Sequence, residues 1–234
     1  MMCFTNAFRH TPLWESAMTL VRHSFAAAFG AVTSGAPESF LVAYEPSTPE
    51  GSAANGAVLA CVGITPAARG PLFCEQYFDE PAEQVVGARL GRPAHRRDIM
   101  EVGPFAAQEP GAGAEILAVL PMFAWECGMR YGLVTVTRRM TLMLRRQRYT
   151  FEPLVDARPE RLAPDQRERW GTYYDNDPQT GLIRLEHLAP VLAQSAGRYR
   201  SVDLSLRRVD DGIPGVDDGN LRVADRRESS LAVA

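Results

Sequence analysis

Lysine is absent from the 234-residue chain, so all 25 of its basic side chains are arginine. Schiff-base catalysis and a P-loop phosphate lysine are thereby excluded. Cysteine is scarce: Cys3, Cys61, Cys74 and Cys127 form no CxxC pair and have no histidine at ligand spacing. Neither a metal centre nor a disulfide framework is expected from that pattern. Long apolar runs are missing as well. The longest, Ile116 to Trp125, contains Pro121 and falls far short of a membrane span. Arg9, Glu15 and Arg22 interrupt the apolar residues near the N-terminus, so no signal-peptide core is read there. His10, His23, His95 and His187 stand alone without a nucleophile elbow, which disfavours a Ser-His-Asp hydrolase. Acidic residues outnumber basic ones by 28 to 25, for a net charge of −3. That balance argues against a nucleic-acid partner. The expectation is a reduced, cytoplasmic protein without stable membrane insertion.

What the chain does have is apolar material, 46% of its residues, in alternating helical and strand patterns. Trp14 to Gly30 reads as a helix: Met18, Val21, Phe25 and Phe29 recur at spacings of three and four, and Gly30 suits a C-cap. Strands are expected at Phe40–Tyr44, Ala57–Ile64 and Pro71–Phe78, with an exposed hairpin loop over Glu45 to Gly56. Glu80 to Leu90 reads as a helix closed by Gly91 and Pro93. Ile99 to Ala107 reads as a strand interrupted by Gly103-Pro104. Proline cannot donate to a central ladder, so a bulge or a parting from a neighbour is expected there. A helix over Ala114 to Gly128, a strand at Tyr131–Thr137, a basic helix at Arg138–Arg148 and a final strand at Phe151–Val155 follow. Another helical pattern covers Leu182 to Leu192, interrupted by Pro190. The alternation beyond residue 99 points to an α/β class with a mixed sheet. Residues 1–200 are assigned to one domain, and 201–234, polar and without aromatics, to a disordered tail.

The most informative segment is Gln108-Glu109-Pro110-Gly111-Ala112-Gly113-Ala114, between a strand and a helix. Its glycines allow close approach to the backbone, and the first helical amides have no partner within the helix. Such a turn favours an anion, typically a pyrophosphate, although an ordinary strand–helix turn is the plainer reading. The segment resembles the pyrophosphate signature of the GNAT acyltransferases: Gln or Arg, two residues, Gly, one residue, then Gly or Ala. Gln108, Gly111 and Gly113 occupy those positions. The resemblance implies a GNAT-like mixed, splayed sheet flanked by helices. It implies acyl-CoA, or the phosphopantetheine of an acyl carrier protein, lying where two strands part. Val102, Phe105 and Ala107 would then face the pantetheine arm, and Gln108, Gly111, Ala112 and Gly113 the pyrophosphate.

A second resemblance covers most of the chain. Phe25 to Ala31, Gly70 to Asp79, Glu101-Val102-Gly103, Thr135 to Arg138, Arg145-Arg146 and Trp170 to Tyr174 resemble the thermostable hemolysin family. That family is similar in fold to GNAT enzymes and acyl-homoserine-lactone synthases. Two residues depart from these patterns. Arg148 stands where a glycine is usual, and Pro104 where lactone synthases carry an arginine. The second departure counts against S-adenosylmethionine chemistry.

Glu101 is the candidate general base, a strand carboxylate able to deprotonate an acceptor amine and raised in pKa by apolar surroundings. A glutamate exposed or paired with Arg97 is the alternative. Glu75 and Tyr77, read on a strand, share one face, with Gln76 on the other. Glu75 is a candidate for binding the acceptor or for catalysis, and Tyr77 for protonating the departing thiolate; a packing role competes for each. Arg138 and Arg145 share a helix face, as do Arg139 and Arg146. Recognition of CoA phosphates, with Arg138 foremost, or of an acidic carrier protein competes there with a solvated face. Trp170 to Pro178 either lines a pocket, with Asp175 or Asp177 reading an amine, or forms a strap over the sheet. The favoured activity is N-acyl transfer from acyl-CoA or acyl carrier protein to a small-molecule amine, without a metal. A membrane-active hemolysin-type protein and a non-catalytic binding module of the same fold are the rivals.

Overall fold

A computed structural model of the protein describes residues 2–33, 35–45 and 57–195. Most of the expected hairpin loop (46–56) and the whole polar tail (201–234) lie outside the described residues. Seven strands form one sheet: β1 (Cys3–Phe8), β2 (Ser39–Glu45), β3 (Ala57–Pro66), β4 (Ile99–Ala107), β5 (Tyr131–Val136), β6 (Glu152–Asp156) and β7 (Gln179–Arg184). Their spatial order is β1-β2-β3-β4-β5-β7-β6. Neighbours are antiparallel throughout except for the parallel pair β4–β5. Six helices flank the sheet: α1 (Pro12–Phe29), α2 (Ala82–Leu90), α3 (Pro110–Glu126), α4 (Arg138–Arg146), α5 (Pro164–Arg169) and α6 (Ala189–Ser195). No described helix is long and apolar enough to cross a membrane.

Helix α1 is closed at both ends as its sequence predicts. The Thr11 hydroxyl accepts from the Trp14 amide, and Gly30 takes the left-handed conformation at φ 63°. Its inward stripe of Trp14, Met18 and Val21 packs on Phe40, Val42 and Cys61. The alternate residues of the same strands, Leu41, Ala43, Ala60 and Val62, face Ile116, Leu120 and Phe123 of α3. Burial on both faces explains why β2 and β3 read as nearly unbroken apolar runs. Arg148 has φ 62°, a backbone conformation that favours glycine and that the family pattern anticipates.

Three expectations are overturned. Pro71–Phe78 is no strand; Phe73–Tyr77 is a 3-10 turn. Nor is β6 the final strand of the chain, for β7 follows it and lies between it and β5. Leu182, Leu185, Leu188 and Leu192 imitate helical spacing, yet Leu182 pairs with Leu133 and Glu152 within the sheet. The next two leucines lie in the 3-10 turn Leu185–Leu188, and α6 begins only at Ala189.

The feature that positions the site is where β4 and β5 stop pairing. They share only Ile99↔Tyr131, Met100↔Gly132 and Glu101↔Leu133. Beyond these, β4 continues beside β3, with a register shift opposite Gly103-Pro104, while β5 continues beside β7. Pro104 has no N–H to offer a neighbour, as the sequence predicts. Gly63 makes room for this irregularity. A Cβ there would lie 2.4 Å from the Gly103 carbonyl oxygen and 2.8 Å from the Pro37 ring. Gly63→Ala should therefore cost about 1–3 kcal/mol through overpacking against backbone. It should appear as a lower urea midpoint at unchanged m-value.

Candidate active site at the parting of two strands

The early amides of the Phe73–Tyr77 turn need acceptors, and two carboxylates supply what a neighbouring strand would have given. Glu75 Oε2 accepts from the Leu72 amide at 2.7 Å. Glu101 Oε2 accepts from Phe73 at 2.7 Å, and Oε1 from Cys74 at 2.9 Å. This pairing is the physical reason that the segment is a turn.

Glu75 and Tyr77, expected side by side, go separate ways. Glu75 meets Arg96 in a two-pronged ion pair at 2.6 and 2.8 Å, and its Oε1 also accepts from the Ala82 amide. Arg96 further donates to Glu83 and to the carbonyls of Ala67 and Gly70. Hydrogen bonding to Arg96 holds the Glu75 carboxyl down at about 2, against the opposing effect of burial. A carboxylate so fully engaged is a brace for the turn and a poor base. Tyr77 instead shares a 2.5 Å hydrogen bond with the Tyr174 hydroxyl. Burial, reinforced by that bond, raises the Tyr77 phenol well above its ordinary value.

Glu101 has the opposite electrostatics. Burial pushes its carboxyl up to about 7, overcoming the Phe73 and Cys74 amides and the Cys74 thiol, which favour the charged form. The nearby Glu75 charge adds to the rise. Each Glu101 oxygen carries one amide bond, so lone pairs remain for a further proton. Cys74, fully buried beside it, has a thiol raised well above the ordinary range by burial and then by Glu101, and so is a poor nucleophile.

Two cavities flank the place where the strands part and share part of their lining. One, about 770 Å³, is walled by Leu117 and Leu120 of α3, Met143 of α4, and Leu188. The other, about 450 Å³, is lined by Glu101, Tyr77, Phe73 and Trp170. Val102, Gly103, Pro104 and Thr135 border both. Phe105 and Ala107 line the larger cavity. The Gln108 amide donates to Leu59 of β3. By the alternation of an antiparallel ladder, Ala106 shares that orientation, whereas the Phe105 and Ala107 amides point to the edge that β5 has left.

At the start of α3 the two glycines have different work. A Cβ on Gly113 would sit 3.0 Å from the Phe105 ring and 3.3 Å from the Ala107 side chain, so this glycine lets the helix approach β4. Nothing lies within 4 Å of a Cβ on Gly111. Ala112 turns its methyl into the core. No side chain caps the helix, and Pro110 at its first position has no N–H, so Gly111 and Ala112 carry its leading amides. Arg138 is exposed; Arg139 and Arg146 are the α4 arginines that line the larger cavity.

Sequence reasoning left Trp170 and Tyr173 divided between pocket and strap; both line the smaller cavity, while Asp175 and Asp177 are exposed. Thr33, also in that lining, was missed, because no motif marks a lone loop threonine.

The Glu75 brace makes a test by acid. Its carboxyl is lowered from 4.5 to about 2, so its contribution to stability is full above about pH 4.5 and is lost as pH falls toward about 2. Glu75→Gln should lower the urea midpoint at about pH 7 and flatten this acid limb.

The sequence matches no curated protein. Among solved structures, the AHL synthase LasI superposes with a TM-score of 0.55 at 13% identity, covering 82% of this chain and 95% of its own. The CoA-dependent acyl-homoserine lactone synthase BjaI, solved with SAM and isopentyl-CoA, gives 0.56 at 12% identity, with coverages of 83% and 89%. FeeM, an N-acyl amino acid synthase from uncultured soil microbes, gives 0.53 at 13% identity, with coverages of 83% and 96%. The expected GNAT-like splayed sheet is therefore the fold of this chain. Residues 8–188 match the model of one family, and on that match the chain belongs to the thermostable hemolysin family.

Proposed function

We propose that the protein is an N-acyltransferase moving an acyl group from a pantetheine thioester, of acyl-CoA or an acyl carrier protein, to a small-molecule amine. The observation that carries this reading is an apolar cavity that shares its lining with a carboxylate-bearing pocket at the gap between β4 and β5. An acyl chain suits the apolar walls of Leu117, Leu120 and Met143, and a cavity of this volume suits a small-molecule ligand. The open space over Gly111 and the leading amides of α3 suit the pyrophosphate. The shared fold of the synthases above supports the same reading.

The reaction follows from the groups at the junction. The acceptor nitrogen attacks the thioester carbonyl carbon, forming the N–C bond, and its proton passes to Glu101. The Phe105 and Ala107 amides stabilise the oxyanion as the tetrahedral centre forms. The C–S bond then breaks, and the thiolate takes up a proton. Glu101, which holds the proton taken from the amine, is assigned that delivery; the Tyr77 phenol, raised by burial and by its bond to Tyr174, is too weak an acid for it and walls the pocket. Glu75 is left out of the chemistry as the brace that holds the turn above Glu101.

Glu101→Gln should lower kcat by about 10²–10⁴ while leaving acyl-CoA affinity in place, read by thiol release and calorimetry. Because the base must be ionised, wild-type activity should rise with pH through a midpoint near about 7, and fall below it. Retention of full activity by the variant would remove Glu101 from the mechanism.

Gly111→Val fills space that the fold does not use. Its thermal midpoint should match wild type while acyl-CoA affinity falls by about tenfold or more. Unchanged affinity would place the pyrophosphate elsewhere.

A further inference from the structure

Helix α4 gathers positive charge that the acyl-transfer chemistry does not use. Arg138, Arg139, Arg145 and Arg146 are all exposed, and the helix carries no acidic residue. None of the four makes an ion pair among the described residues. In a chain of net charge −3, this is a local concentration of the opposite sign. At 3.6 residues per turn, the four arginines fall within about a third of the helix circumference, and Leu142 lies at the centre of that arc. Leu142 is 51% exposed, whereas Leu144, on the opposite side of the helix, is buried. Arg139, Leu142 and Arg146 also line the larger cavity, so its apolar interior opens onto this same face.

Arginine engages phosphate with a planar, two-pronged fork, and a leucine held in water gains by leaving it. Arginines set around an exposed leucine therefore fit a surface on which phosphates lie directly above hydrocarbon. A carboxylate-rich protein surface would answer the arginines alone; an anionic bilayer answers the leucine as well.

We infer that the α4 face docks the protein on an anionic lipid surface, with Leu142 in the acyl boundary and the four arginines on lipid phosphates. The association is peripheral, for no described helix is long and apolar enough to cross a membrane. It sets the mouth of the larger cavity against the bilayer. On the acyl-transfer reading, an acyl chain would then pass between cavity and lipid without crossing water. The docking itself does not depend on that reading.

Sedimentation of the full chain with vesicles tests the docking. Phosphatidylcholine vesicles containing phosphatidylglycerol should bind it at least about tenfold more strongly than phosphatidylcholine alone. Raising salt from about 0.1 M to about 0.5 M should remove most of that difference. Near an anionic surface each arginine contributes about fivefold, so Arg138→Gln with Arg145→Gln should weaken binding by about 25-fold. Leu142→Asp should weaken it by about tenfold or more. Arg97→Gln, at a side chain 79% exposed outside α4, should leave binding within about twofold of wild type. All are surface positions, so thermal midpoints should match wild type. Equal binding to both kinds of vesicle, or a loss from Arg97→Gln as large as that from the α4 pair, overturns the inference. So does saturable binding of an acidic carrier protein, abolished by the α4 substitutions while vesicles are ignored, which gives the face to a protein. Docking without any turnover of acyl donor would remove acyl transfer and leave the inference standing. Turnover without vesicle binding would do the reverse.

Discussion

Of the nine residues of β4, only three pair with β5, and the departure after Glu101 decides where every other part of the site can stand. Had the ladder continued, the Phe105 and Ala107 amides would have been used up and the two cavities kept apart. The sheet tolerates the loss because each strand keeps its other partner: β4 runs on beside β3, and β5 beside β7. Pro104 withholds one donor, Gly63 leaves room for the Gly103 carbonyl, and Gly113 brings α3 close to β4. The gap is thus built from residues whose contribution is a missing atom.

One short turn above the gap holds two carboxylates in opposite states. Glu75, in the grip of Arg96, is fixed as an anion; Glu101, buried under the turn, is lifted toward neutrality. Separated pKa values of this kind divide labour between like groups. The turn depends on both, since Leu72, Phe73 and Cys74 would otherwise carry amides without acceptors. On the acyl-transfer reading, a base held by two backbone donors would keep its orientation through the proton transfer, which is what positioning requires.

Much of this was legible in the chain. The helical spacing of Met18, Val21 and Phe25, the apolar β2 and β3, and the Gly103-Pro104 interruption each led to the observed element. Local pattern failed where a distant partner overrode it. Residues 71–78 have strand-like composition, but their amides are taken by Glu101, some 27 residues away in sequence, a contact that no window contains. Leu182 carries a helical period and lies in a strand, because β5 and β6 leave a place between them that only the fold reveals. At the site, Glu101 was singled out from its strand and family-like surroundings, whereas Thr33, a loop residue of the smaller cavity's lining, is marked by no local pattern. Arg139 and Arg146, rather than Arg138, line the cavity, because helix phase and not motif position decides which arginines face it.

The central claim is that donor and acceptor meet through the gap beyond Glu101. Its most direct test is a crystal structure with a non-transferable acyl-CoA analogue in which a methylene replaces the thioester carbonyl. The account predicts the sulfur between β4 and β5 beside Phe105, the acyl chain among Leu117, Leu120 and Met143, and the pyrophosphate on the Gly111 and Ala112 amides. A pantetheine arm lying outside the gap, or an acyl chain in the Trp170 pocket, would contradict it.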